Sequence, residues 1–205
     1  MKTAFHSGLV LSLCLVCAAG LASCSRDPVR IGYLASETGP SGELGVAGRK
    51  AAEMAVEALN ASGGIRGAPL VLVPVDDKGQ AEAALEGLKI LIAQDVKLVI
   101  GPLASSASTL VVPHANENGI LLLSPLVSAQ VWEGKDDWFF RIIITNTSMG
   151  RQLAARARSF GAARAMGFFE PGNRLYSEHF VREFGAAIQE GGGEFLAMEA
   201  LPSSD

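Results

Sequence analysis

The stretch "VIGPLASSAST" (Val99 to Thr109) runs from an apolar segment through Gly-Pro into the hydroxyls of Ser105, Ser106, Ser108 and Thr109. Hydroxyls at this density can do two things. They can cap a helix by accepting from its orphan amides, at about 1 kcal/mol for a good cap, or they can hold a small polar ligand. The cluster exceeds what one cap needs, and a helix starting near Ser105 also offers free amides and the positive end of its dipole to a carboxylate. Asp76 and Asp77 close another apolar run. They could meet a cation, but no third carboxylate follows at loop spacing, and Asp at a strand end commonly satisfies turn amides. His114 and His179 lie far apart in the chain without ligand spacing, so they read as surface residues and no metal site is expected. No Gly-x-Ser-x-Gly elbow, phosphate loop, Gly-x-Gly-x-x-Gly or His-Glu-x-x-His occurs in the chain, so no catalytic residue and no cofactor are expected.

The balance of 17 Lys and Arg against 21 Asp and Glu gives a formal net charge of −4. No basic stripe exists to meet phosphates, which argues against nucleic acid as a partner. Arg151, Arg156, Arg158 and Arg164 form the basic cluster and read as the wet side of a helix. The opening "MKTAFHSGLVLSLCLVCAAGLASC" has Lys2, an apolar core from Leu9 to Ala19 and small residues before Cys24, the layout of a secretory signal. Its end, "LASC", resembles the bacterial lipobox, which implies cleavage after residue 23 and lipid on Cys24; an ordinary secretory signal with an incidental Cys is the plainer alternative. Cys14 and Cys17 lie inside the segment to be removed, so no disulfide scaffold is expected.

The elements that must position these residues alternate. "VRIGYLA" reads as a strand, and "VAGRKAAEMAVEALNASGG" as a helix with Ala47, Ala51, Met54, Ala55, Ala58 and Leu59 on one face and Arg49, Lys50, Glu53 and Glu57 opposite, stopped by Asn60 and Gly63-Gly64. "PLVLVPVDD" is a strand, "AEAALEGLKILIAQ" a helix and "VKLVIG" a strand. "SSASTLVVPHANENG" is a helix that Pro113 should kink or end early. "GILLLSP" and "WFFRIII" (Trp138 to Ile144) follow as strands. The segment after Thr145 repeats the pattern: a helix started by Asn146 or Ser148 with Met149, Leu153, Ala157 and Phe160 inward, the strand "ARAMGFF", a helix burying Phe180, Val181, Phe184 and Ile188, and the strand "EFLAMEA". Trp132, Trp138, Phe139 and Phe140 read as packing residues, and Arg141 as paired with a carboxylate or carbonyls. Such alternation implies an α/β fold, a mostly parallel sheet with helices on both faces. Ligands of such sheets bind beyond the carboxyl ends of the strands, here "SETGPSGELG", "DDKGQ", "GPLASSAST" and "SPLVSAQ".

Together, "VRIGYLASETGPSGELGVAGRKAAEMAVEALNASGGIRGAPLVLVPVDD", "VKLVIGPLASSAS", "GILLLSP" and "FFRI" resemble the type I periplasmic binding proteins of the branched-chain amino acid and amide class, the substrate-binding components of ABC importers. The resemblance implies a Rossmann-like first lobe over 29–144 and part of a second α/β lobe over 145–205, after a signal peptide (1–23) and a lipidated tether (24–28). It implies a ligand held between the lobes. Ser105 falls where the family's hydroxyl meets the ligand carboxylate. Ser128 falls on the Ser or Thr that meets carboxylate and ammonium, and Leu126 on the residue offering a main-chain carbonyl to the ammonium. Tyr176 lies near a second-lobe aromatic that covers the ligand, after a loop, "EPGNRL", longer than usual, and Leu44 stands where an aromatic is common. Family members are longer, so the chain reads as a truncated second lobe. The implied function is an extracytoplasmic, lipid-anchored receptor that is not an enzyme, binding an amino acid or small amide and serving an inner-membrane ABC permease. A regulatory lipoprotein of the same fold that binds a protein partner, as cell-wall synthase activators do, or acts as a ligand sensor, is the alternative.

Overall fold

The computed structural model describes residues 26–39 and 42–202. The signal-peptide and lipid-anchor expectations, residues 1–23 and Cys24, lie outside the described residues. The elements in chain order are β1 (Val29–Ala35), α1 (Gly42–Ala61), β2 (Leu70–Asp76), α2 (Ala81–Ala93), β3 (Leu98–Ile100), α3 (Ser105–Asn118), β4 (Leu121–Ser124), β5 (Phe139–Arg141), α4 (Asn146–Ser159), β6 (Arg164–Phe169), α5 (Arg174–Glu190) and β7 (Glu194–Ala200), with 3-10 turns at Gln130–Trp132 and Pro171–Asn173. Among the described residues no helix is long and apolar enough to cross a membrane.

The described residues fall into two compact units, 26–29 with 55–71, and 30–39, 42–54 and 72–202. The smaller unit is built around the end of α1. Asn60 clamps the chain as it leaves the helix: its Nδ2 donates to Leu70 O at 2.9 Å and its Oδ1 accepts from Leu70 N at 2.7 Å. Between them Ile65 and Ala68 exchange two backbone hydrogen bonds of 2.9 Å. Gly64 sits at φ +70 with Ala68 O where a Cβ would be, so the turn in "GGIRG" requires glycine there.

In the larger unit, five strands are ordered β2-β1-β3-β4-β5, and β6 pairs with β7 in a separate two-stranded sheet. The β1–β3, β3–β4, β4–β5 and β6–β7 pairs are parallel. Register assigns the faces. Gly32, Val99, Leu122 and Phe139 share one row, and Val99, Leu122 and Phe139 pack with Leu88 and Leu91 of α2 and Val111 and Ala115 of α3 in the main core. The next row, Tyr33, Ile100, Leu123 and Phe140, points the other way, toward α1, where Tyr33 meets Gly48. Helices thus flank both faces of the first sheet. On the α1 side, Leu98, Leu121, Leu123, Trp138 and Phe140 also line an apolar trough of about 910 Å³.

Three local expectations, for α3, β5 and α4, are corrected, and the structure decides which face of α1 is buried. The apolar stripe of α1 faces outward, with Met54 69% and Leu59 47% exposed. Gly42 and Gly45 are the buried positions, because Gly45 lies against Ser36 O and Gly48 against the Tyr33 hydroxyl, where a side chain has no room. Helix α3 continues past Pro113 to Asn118. Thr109, whose carbonyl loses its amide partner to the proline, is exposed and can be hydrated. Strand β5 stops at Arg141, leaving Ile142 and Ile144 exposed. Helix α4 is capped by Thr145, whose side chain accepts from Ser148 N at 3.1 Å, and it buries Asn146, Gly150 and Ala154 while Leu153 and Phe160 face solvent. Small residues win that face because Gly150 lies against the backbone of α5 at Phe180 and Phe184.

Candidate ligand-binding site

The carboxyl ends of β1 and β2 are tied by side chains. Ser36 Oγ donates to Asp77 Oδ1 at 2.6 Å, and Asp77 Oδ1 also accepts from Gly79 N at 2.9 Å. Asp76 accepts from the amides of Glu37 and Lys78 and from the Thr38 hydroxyl. Burial acts to raise the Asp76 pKa, but the hydrogen bonds from the Thr38 hydroxyl and the Glu37, Lys78 and Thr38 amides outweigh it and hold the carboxyl below its ordinary value. Both aspartates therefore do the turn-satisfying work. Among the described residues no group of three His, Cys, Asp or Glu is placed to hold a metal ion.

After β3, Gly101 sits at φ +127 with Leu34 O at the position a Cβ would take, so this entry to the loop demands glycine. The hydroxyls that follow separate into distinct roles. Ser108 Oγ donates to Ser105 O at 2.6 Å and accepts from Trp132 Nε1 at 2.7 Å, while Thr109 Oγ1 donates to Ser106 O at 2.8 Å. None of them caps the helix: the N-cap residue is Ala104, with no side-chain cap bond. Ser105 is 2% exposed and lines a cavity of about 250 Å³.

That cavity brings the sequence-predicted residues together. Leu44, Ser105, Leu126, Ser128 and Tyr176 all line it, with Leu103, Ile143, Met149 and Asn173 added. The loop after β4 is shaped by Ser124, whose Oγ donates to Pro102 O at 2.6 Å and accepts from Val127 N at 3.0 Å. Ser128 is fully buried, and its Oγ has no hydrogen-bond partner among the described residues. A buried hydroxyl left in that condition costs about 1–3 kcal/mol unless something else satisfies it. Apart from Ser105, Ser128, Asn173 and the Tyr176 phenol the lining is apolar, and Ser105, the first residue of α3, stands at one side.

Two residues of this arrangement were invisible to pattern reading. Asn146 reads locally as a helix starter, yet its amide donates to Ser128 O at 2.9 Å and its Nδ2 to Leu175 O at 2.9 Å and Tyr176 O at 3.4 Å. It thus sets the spacing between the Ser128 loop and the start of α5. Asn173 accepts from Ser106 N at 3.1 Å. The one available signal was composition, since both lie beside turn residues. Arg141 donates to Ala129 O at 2.7 Å, as a pairing with carbonyls requires.

The arrangement can bind a small ligand with a polar, hydrogen-bonding head and an apolar body. The chain is similar to several known proteins. A relative from Brucella melitensis, "Leu/Ile/Val-binding protein homolog 3", is 32% identical over 117 residues, covering 57% of this chain and 32% of the relative. The "Leucine-, isoleucine-, valine-, threonine-, and alanine-binding protein" of Pseudomonas aeruginosa is 32% identical over 193 residues, covering 91% of this chain and 51% of that protein. The structure of a branched-chain amino acid transporter substrate binding protein from Streptococcus pneumoniae, in complex with isoleucine, superposes with a TM-score of 0.77 at 25% identity, over 87% of this chain and 51% of that one. The chain spans about half the length, or less, of these relatives. Residues 28–205 match the family model described as "Periplasmic binding protein", and with the parallel α/β architecture in agreement, the chain belongs to the periplasmic binding protein family.

Proposed function

We propose that the protein is the solute receptor of an ABC importer, binding a branched-chain or other amino acid, or a small amide, without chemical conversion and delivering it to an inner-membrane permease. The observation that carries this is the convergence of Leu44, Ser105, Leu126, Ser128 and Tyr176 on one cavity, with the buried Ser128 hydroxyl unpartnered among the described residues. In this reading Ser105 and the first amides of α3 take the ligand carboxylate. Ser128 and the Leu126 carbonyl take the polar head from the neighbouring loop. Leu44, Leu103, Ile143, Met149 and Tyr176 wall the apolar body. Residues 29–144 act as the first lobe and 145–205 as part of the second, and lipid on Cys24 holds the receptor to the membrane outside the cytoplasm. The relatives named for leucine, isoleucine and valine support this ligand class.

A thermal-shift and calorimetric panel of amino acids and amides tests the reading. At least one member should raise Tm, and Ser105→Ala combined with Ser128→Ala should remove the gain. No response to any member overturns it.

A further inference from the structure

Asn173 is the N-cap residue of α5, a position where an Asn side chain ordinarily accepts from its own helix. Here it makes no such bond. Its carboxamide instead crosses to α3 and accepts from Ser106 N at 3.1 Å, across 67 residues of sequence. The α3 N-terminus lacks a cap of its own, because Ala104 stands at that position. The backbone around Asn173 is held on both sides. Glu170 accepts from Gly172 N at 2.5 Å and from Asn173 N at 2.8 Å, and Ser177 Oγ donates to Asn173 O at 3.1 Å. The side chain therefore springs from a braced turn.

The place it reaches is the candidate site. Asn173 lines the cavity that holds Ser105 and Ser128, and also a smaller one of about 90 Å³ with Ser36, Leu44, Gly45, Leu103 and Ala104. An Asn Oδ1 and a carboxylate oxygen are the same kind of acceptor for an amide N–H, and the carboxylate is the stronger one because it is charged. A ligand carboxylate seated on the first turn of α3 would compete with Asn173 for Ser106 N.

We propose that Asn173 is a displaceable latch: its side-chain carbonyl occupies part of the carboxylate position and pins the Pro171–Asn173 turn to α3 until an anionic ligand group takes the amide. This rests on the reading that a ligand carboxylate docks at the α3 N-terminus. The latch sets a threshold on affinity, since each binding event must break one hydrogen bond before it makes its own. Asn173 is in this sense a regulatory residue, acting in the free protein by holding the amide that the ligand takes.

The test follows the Ser106 amide by NMR in the full chain, with L-leucine and sodium acetate as probes. Asn173→Ala should speed hydrogen exchange at Ser106 several-fold in the free protein and tighten leucine binding by roughly three- to tenfold, the worth of one ordinary hydrogen bond. Asn173→Asp should weaken binding, because it puts a charged acceptor on the amide and a like charge beside the carboxylate. Unchanged exchange in Asn173→Ala overturns the latch. So does leucine binding that Asn173→Ala weakens or leaves unchanged, or that Asn173→Asp tightens, while the proposed function survives. If neither probe moves the Ser106 resonance in any variant, the latch and the carboxylate reading fall together.

Discussion

The Ser36 hydroxyl donates to Asp77 Oδ1 at 2.6 Å, and both side chains are buried at the carboxyl ends of β1 and β2. Among the described residues Asp77 Oδ2 has no partner, and the other carboxylate oxygen is held by Ser36 and the Gly79 amide. Ser36→Ala should cost about 2 kcal/mol, the range for a hydrogen bond to a carboxylate. Urea unfolding checks this, as a lower midpoint with an unchanged slope.

Tyr33 is 1% exposed and donates to Gly45 O at 2.7 Å. Burial, with the negative charge of Glu37 next, pushes its phenol from 10.0 up to about 12. A raised folded-state pKa means the native state holds the proton more tightly than the unfolded chain. Its contribution is therefore fully present below about pH 10 and is lost as pH rises toward 12. Tyr33→Phe should flatten the alkaline limb of the stability curve, read by thermal melts across that window.

Asp76 behaves in the opposite sense. Its lowered pKa makes the ionised form the stabilising one, so its contribution is present above the ordinary carboxylate range and is lost as pH falls through the depressed value. Asp76→Asn should make the acid limb less steep below about pH 4. Acid titration followed by circular dichroism measures it.

Ser128 separates folding from binding. Because its buried Oγ has no partner among the described residues, Ser128→Ala should leave stability unchanged or raise it by up to about 1 kcal/mol. Under the proposed function the same substitution weakens ligand binding. A melt and a titration on one variant read both effects.

Pro113 sits on the solvent side of α3, inside the helix. Proline in a helix interior is about 3 kcal/mol less favourable than alanine in a free helix, and hydration of the Thr109 carbonyl offsets part of that. Pro113→Ala should stabilise the protein by about 1 kcal/mol, seen as a raised Tm.

Short-range physics made much of this molecule legible in its sequence. Apolar runs broken by glycine and asparagine announce the β/α alternation, and alternation forces parallel strands with their carboxyl ends on one edge. That is why the loops carrying Ser105, Leu126 and Ser128 could be put at one sheet edge, whereas the choice of those residues within the loops came from the family resemblance. Faces were less secure. In α1 the apolar stripe of Met54 and Leu59 lost to the glycine row that lets the helix touch Ser36 and Tyr33, because close backbone approach outranks hydropathy where no side chain fits. Only the tertiary structure decided which groups meet across long stretches of chain. The hydroxyls of "ASSAST" were read as caps or ligand groups, yet two bond back along their own helix, and a cap arrives from Asn173. Asn146 likewise joins Ser128 to Tyr176. Such bonds depend on where one helix end lies relative to another in space, and no local pattern of residues encodes that distance.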